Sequence, residues 1–288
     1  MKMHPQKKQL MTAIADDLKG IDGVKAVVLG GSYAEGTATP ASDIDIGIYY
    51  NEDRPFTIEA IKTVAERYAI DTPVVTGFYE WGPWVNGGAW IRTPQGKVDF
   101  LYRNTVQVRQ TIHKAIEGVW EHHFEQQPPY GFSSLTYLAE IAIAVPLYDP
   151  HQIIEAFKKQ IFPYPQKLRT DVINRSLWSA EFTIRIAEGF IIQEDLYNVA
   201  GCITRAVKNI VNALFAINNC YPLGDKRAFN TLDGFSLKPD DFKEQVEKIL
   251  SLSKHSLNAN VALLKALHKN ILQFAGELYK PLYDLKNR

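Results

Sequence analysis

Apolar and polar positions change their period partway along the chain, and that change predicts two kinds of architecture. Between residues 6 and 19, Leu10, Ile14 and Leu18 recur at helical spacing until Gly20 and Gly23 interrupt the pattern. Val24–Gly30 (VKAVVLG) is a β-branched run ending in glycine, which predicts a buried strand. Residues 32–38 read as a short helical turn closed by Pro40. Asp43–Tyr50 (DIDIGIYY) alternates Asp or Gly with Ile and Tyr, the period of two that marks a second strand. An amphipathic helix is expected over residues 57–70, after Pro55. Ala89–Thr93 and Lys97–Arg103 flank Pro94-Gln95-Gly96 and predict a β-hairpin.

From about residue 133 onward the periodicity is almost entirely helical. Helices are expected over 135–147, 152–161, 166–193, 198–219, 240–252 and 256–282, with breaks at Pro150, Pro163, Pro165, Pro222, Gly224 and Pro239. No unit recurs at a fixed period, which argues against a solenoid. The texture changes at Gln126-Gln127-Pro128-Pro129. The expectation is therefore an α+β chain: a mixed sheet with flanking helices in residues 1–130, followed by an all-α bundle in 131–288.

Composition narrows the classes. A chain of 288 residues, 46% hydrophobic, has enough apolar material for its cores without disulfides or a structural metal. Cys202 and Cys220 are the only cysteines, which excludes a disulfide framework and a cysteine-based zinc site. No apolar run approaches the roughly 18 residues of a membrane span, and the basic start has no apolar stretch after it, so a cytoplasmic protein with no membrane partner is expected. The net charge of zero divides unevenly: residues 1–150 carry 18 acidic against 13 basic side chains, and residues 151–288 carry 14 against 19. Neither half is basic enough for a dedicated nucleic-acid binder.

The chemistry concentrates in residues 29–48 (LGGSYAEGTATPASDIDIGI). Residues two apart on a strand share a face, so Asp43 and Asp45 present two carboxylates side by side while Ile44, Ile46 and Ile48 enter a core. Two adjacent carboxylates repel unless something neutralises them, and Mg²⁺ suits that task because it takes carboxylate, water and phosphate oxygens. Gly30 and Gly31 let backbone amides approach phosphate oxygens, and Ser32 adds a hydroxyl donor. A third carboxylate, Asp99, stands among apolar residues in KVDFL. Three carboxylates can hold two ions, one on a triphosphate and one activating an attacking oxygen. The alternative is a turn-capping Asp43 and a solvated Asp45, which leaves Asp99 unexplained. Residues 31–37 imitate P-loop spacing, but the lysine that contacts the β- and γ-phosphates is missing, so a kinase or ATPase of that class is rejected.

A Gly-Ser pair, a short helix, Asp-x-Asp between hydrophobic residues and a later strand Asp resemble the nucleotidyltransferase superfamily typified by DNA polymerase beta. The Gly31-Ser32-Tyr33-Ala34-x-Gly36 run and the helical second half look most like the aminoglycoside and lincosamide antibiotic nucleotidyltransferases. The specific resemblance spans residues 24–103. It implies a nucleotidyltransferase domain in which Gly31 and Ser32 bind the triphosphate, Asp43 and Asp45 bind the metal, Mg²⁺, as catalytic ligands, and Asp99 completes the metal site and can help deprotonate the acceptor. The activity implied is transfer of a nucleoside monophosphate, AMP from ATP, to a hydroxyl of a small molecule, an antibiotic being one candidate, with release of pyrophosphate. The rival readings are a protein or RNA acceptor, or a non-catalytic nucleotide-sensing or antitoxin-like protein. All three carboxylate positions are filled, which favours an enzyme. The oligomeric state is open, with a homodimer compatible.

Three further groups of residues carry candidate roles. Glu140, in the apolar run YLAEIA, suits a general base through partial burial, as the resemblance also implies; a polar position with a local partner is the alternative. Lys226, beside Arg227, could clamp the triphosphate from the helical half, with Arg205 and Lys208 as weaker candidates. Trp81, Trp84 and Trp90 could shape an acceptor pocket or stack a base, against ordinary packing between sheet and bundle. His122 and His123 are adjacent, so on a strand they diverge and form no joint metal site. Asp195 and Tyr197 read as a helix start.

Overall fold

The computed structural model describes residues 3–283 and 285. The chain forms two compact units, Met1–Lys114 with Glu121–Pro163, and Ala115–Trp120 with Tyr164–Arg288.

The front of the chain runs α1 (Pro5–Leu18), β1 (Val24–Leu29), α2 (Gly31–Glu35), β2 (Ile44–Tyr50), α3 (Ile58–Tyr68), β3 (Val74–Val75), β4 (Gly88–Thr93), β5 (Gly96–Asn104) and α4 (Thr105–Ile116). Then follow β6 (His122–His123), β7 (Phe132–Ser133), α5 (Leu135–Ile143), β8 (Val145–Tyr148) and α6 (Ile153–Ile161). Six strands make one mixed sheet in the order β3-β4-β5-β2-β1-β8. Only β2 and β5 pair in parallel; the other neighbours are antiparallel.

Alternation decides what each face of that sheet does. Ile44, Ile46 and Ile48 of β2 and Val98, Phe100 and Tyr102 of β5 are buried in one core with Leu10, Ile14 and Leu18 of α1 and Ile61, Val64 and Ala65 of α3. The intervening residues, Asp45, Gly47, Asp99 and Leu101, fall on the opposite face and are less buried. The period-two signal of the two sequences thus puts the carboxylates on one face and the core on the other.

Several elements differ from the expectation. The helix expected over 135–147 stops at Ile143, and Val145–Tyr148 becomes strand β8 beside β1. Pro146 lacks an amide proton and pushes Val145 to extended backbone, and a proline is tolerated on an edge strand. Residues 105–116 form α4, where no helix was expected. The last long helix ends at Ala275, because Gly276 leaves helical geometry at φ 55°. The Gln126–Pro129 stretch belongs to the connection between the paired strands β6 and β7.

The second unit is helical: α7 (Gln166–Ile192), α8 (Leu196–Ile217), α9 (Ala228–Asp233), α10 (Phe242–Leu250) and α11 (Leu257–Ala275). Asp195 caps α8 by accepting the Asn198 amide at 3.0 Å. Among the described residues α8 is the one helix long and apolar enough to cross a membrane, and most of its apolar window, 61%, is buried inside the protein. Its apolarity is spent on packing against α7 and α11.

Candidate active site

Asp45 and Asp99 face each other across the parallel pair β2–β5 as direct register partners. Their side chains share the face opposite the main core, both partly exposed. Asp43 lies two residues before Asp45, outside β2 in the segment that leads into it, and is partly exposed. Two of the three carboxylates singled out by the sequence are thus register partners on adjacent strands, and the third lies just ahead of β2.

The Gly30–Ser32 turn adjoins them. The Gly30 amide donates to the Asp45 carbonyl at 2.8 Å, which fixes the end of β1 against the start of β2. Gly31 opens α2 with φ 55°, and a Cβ built on it would overlap the Asp45 carboxylate. Only glycine accommodates both the left-handed backbone and the carboxylate above it. Gly36 ends α2 in the left-handed conformation at φ 84°.

The loop from α2 to Asp43 is held by a residue that the sequence did not single out. Lys7 of α1 is buried to 9% exposure, and its Nζ donates to the Ser42 carbonyl at 2.7 Å and the Pro40 carbonyl at 3.1 Å. The same ammonium lies 5.5 Å from the centre of the Tyr33 ring on α2. Ser42 Oγ accepts the Thr39 amide at 2.8 Å, so Ser42 closes this turn. The signal for Lys7 was present: it stands on the apolar stripe of α1, three residues before Leu10 and seven before Ile14.

Glu140 is in the first unit, on α5, and has a local partner. Its Oε2 accepts from Arg103 Nε and its Oε1 from Arg103 Nη2, both at 2.6 Å. Arg103 is almost fully buried, stands four residues after Asp99 on β5, and also donates to the Val85 and Tyr102 carbonyls. Burial opposes the guanidinium charge, and the Glu140 carboxylate more than offsets it, so Arg103 is held protonated above its ordinary range. The phenol of Tyr49, on the same face, is pushed up by burial and then by Glu140.

The donor set suits Mg²⁺, which is commonly held by one or two carboxylates together with water and phosphate oxygens. Asp45 and Asp99 offer hard oxygen donors from adjacent strands, with Asp43 as a third. Among the described residues no three His, Cys, Asp or Glu side chains are gathered into a ready-made metal site. Such donors fit an ion that takes its remaining oxygens from water or a ligand, not a closed protein cage. Lys226 lies in the second unit, exposed in the turn before α9. Nearby, Lys208 pairs with Asp225 at 2.5 Å.

The three tryptophans divide. Trp84 is buried against Phe132, His123 and Tyr137, a packing role. Trp81 and Trp90 stack on each other, centroids 4.8 Å apart and planes at 21°, and Trp90 is exposed.

Comparison with known proteins agrees with the resemblance. Residues 11–85 match the family model described as a nucleotidyltransferase domain. The matched stretch, about a quarter of the chain, contains Gly30–Ser32, Asp43 and Asp45. The match ends before Asp99 and Glu140, so their assignment rests on the β2–β5 register and on α5. No curated protein matches the sequence. A nucleotidyltransferase-like protein from Exiguobacterium sibiricum 255-15 is similar in structure, with TM-score 0.42 and 10% identity over 94% of this chain and 78% of that one.

Proposed function

We propose that the protein transfers AMP from ATP to a hydroxyl of a small-molecule acceptor, with Mg²⁺ and release of pyrophosphate. The observation that carries this reading is the Asp45–Asp99 register pair beside the Gly30–Gly31 turn. The triphosphate lies along the Gly30–Ser32 amides, and Asp43, Asp45 and Asp99 supply the ligands of a two-ion site. Mg²⁺ held by these carboxylates would supply charge neutralisation for the triphosphate and Lewis acidity toward the attacking hydroxyl. The acceptor oxygen bonds the α-phosphorus while the bond from that phosphorus to its β-bridging oxygen breaks. Pyrophosphate leaves with the electron pair, and the hydroxyl proton passes to the Asp99 carboxylate. Positioning and charge neutralisation supply the rate, so displaced carboxylates are costly.

Titration calorimetry with ATP, GTP, CTP and UTP, with and without Mg²⁺, tests the reading. Mg²⁺-dependent binding of ATP in preference to the others is expected, and its loss in the Asp43→Asn/Asp45→Asn double variant. Absence of nucleotide binding under every condition would overturn it and favour an interaction protein on a nucleotidyltransferase fold.

A further inference from the structure

Trp90 is the antiparallel register partner of Asp99, so the two side chains are neighbours on the carboxylate face of the sheet. Its indole is 53% exposed, an unusual place for the largest apolar side chain. The alternation along β4 accounts for the direction: Ala89 and Ile91 enter the core, and Trp90 therefore points away from it. Beneath it the ring is supported. Trp81 stacks on Trp90, and its ring also lies beside Gly88, where a Cβ would meet the Phe100 carbonyl oxygen first, and Trp81 Cζ3 at 3.0 Å.

The support is rigid. The Trp81 amide donates to the Asn86 carbonyl at 2.8 Å. Asn86, fully buried, accepts the Tyr79 amide through its side chain at 2.9 Å and donates to the Tyr50 hydroxyl at 2.8 Å. Gln126 reaches the same loop, donating to the Trp81 carbonyl at 3.5 Å. An exposed aromatic face held by buried hydrogen bonds is preorganised for a ring, because little side-chain entropy is left to lose on binding.

Strand order says which substrate that ring belongs to. Across β1-β2-β5-β4 the functional groups run Gly30–Gly31, Asp45, Asp99, Trp90. The phosphate-suited turn and the tryptophan pair stand at opposite ends of the carboxylate row, about 14 Å apart at ordinary strand spacing. We propose that Trp90, backed by Trp81, is the acceptor platform: it takes the flat face of a hydroxyl-bearing ring, aromatic or the C–H face of a sugar, and sets the hydroxyl beside Asp99. The proposal rests on the nucleotidyltransferase reading above and adds the place and chemical class of the acceptor.

The test keeps the two apart. The protein is first titrated with Mg²⁺ and α,β-methylene ATP, whose Pα–Pβ link cannot be cleaved. The loaded protein is then titrated with p-nitrophenyl β-D-glucoside, which carries a flat aromatic face, hydroxyls and a nitro group that quenches indole fluorescence. Saturable quenching is expected in the wild type. In Trp90→Ala the dissociation constant for the glucoside should rise roughly tenfold or more, as for other losses of a stacking aromatic. Trp90→Phe should keep it within about threefold, and all three proteins should bind the nucleotide within about twofold of one another. Unaltered glucoside binding by Trp90→Ala, no saturable quenching in nucleotide-loaded wild type, or loss of nucleotide binding in Trp90→Ala would each overturn the platform. Failure of the wild type to bind the nucleotide in the first titration would instead sink the underlying reading.

Discussion

The Asp45 carboxylate lies over the α-carbon of Gly31, in the space that any larger residue would fill with its Cβ. One glycine thus serves two demands: a left-handed backbone at the start of α2, and the position of a carboxylate on the neighbouring strand. Gly31→Ala is expected to displace Asp45 and weaken Mg²⁺-dependent ATP binding more than tenfold. Strain at the positive φ should also lower unfolding stability by about 1–2 kcal/mol. Calorimetry and denaturant unfolding of the variant check both effects. A Gly31→Ala protein that binds nucleotide normally would remove the proposed role of the turn.

Asp45 and Asp99 face each other, yet they are expected to fail differently. Asp45 adjoins the Gly30–Gly31 turn, whereas Asp99 adjoins Trp90 on the far side. Asp99→Asn should therefore lower kcat by about 100-fold or more, in the range of lost general-base catalysis, while the dissociation constant for Mg²⁺–ATP changes by less than about threefold. Steady-state kinetics with an accepted alcohol, beside calorimetry, separate the two quantities. Equal loss of binding in the Asp45 and Asp99 variants would assign both carboxylates to the nucleotide.

Much of this site was legible in the sequence, and for one reason: strand parity is local. DIDIGI places two carboxylates on one face without any tertiary information, and KVDFL does the same for Asp99. The parallel pairing that brings Asp99 opposite Asp45 is not local, because β2 and β5 are separated by α3, β3 and β4 and either could have paired elsewhere. Arg103 stood in plain view on the Asp99 face of the same strand, but its carboxylate partner is 37 residues away. Lys7 resembled a solvated helix lysine unless its place on the apolar stripe was weighed above its charge. At residues 144–148 the local rule was there and was outvoted: apolar periodicity continued through Pro146, which cannot continue a helix.

Lys7 yields a prediction with its own control. Its ammonium holds two carbonyls of the segment that delivers Asp43, so it acts as a positioning residue. Lys7→Met should raise the KM for Mg²⁺–ATP severalfold and speed hydrogen exchange at the amides of residues 37–43. Lys7→Arg, which keeps charge and donors, should recover part of the KM effect. Recovery of KM by Lys7→Met itself, with the loop still protected, would leave the lysine with no positioning role.

Acid stability should report on His268 in the second unit. The side chain is 1% exposed, its Nε2 has no hydrogen-bond partner among the described residues, and burial lowers its pKa despite the attraction of Glu181. Glu181 is itself engaged by Tyr279 and the Tyr283 amide. The folded protein therefore prefers neutral His268, while the unfolded chain takes up its proton near the ordinary value of about 6.5. Below that pH the unfolded state binds more protons, so stability falls as pH drops through the window down to the lowered folded value, and then levels. His268→Leu should flatten the slope of unfolding free energy between pH 7.5 and 5.5 in urea titrations. An unchanged slope would place the titrating group elsewhere.

Glu140 separates two roles that a single activity assay would confuse. As a general base, it would leave stability untouched when changed to Gln, lower kcat and remove the acidic limb of the pH–rate profile. As the partner of a buried Arg103, it would leave a guanidinium without its compensating charge, and losing one member of a buried pair costs roughly 3–5 kcal/mol. The bidentate geometry favours the second outcome, since both carboxylate oxygens already accept charge-assisted bonds. Glu140→Gln is thus expected to lose unfolding stability first, with residual activity that keeps its pH profile. Arg103→Met should be destabilised similarly, and the Arg103→Met/Glu140→Gln double variant by clearly less than the sum of the singles, because it removes both charges from the interior. A stable Glu140→Gln protein with a lost acidic limb would instead make Glu140 the base and transfer that role from Asp99.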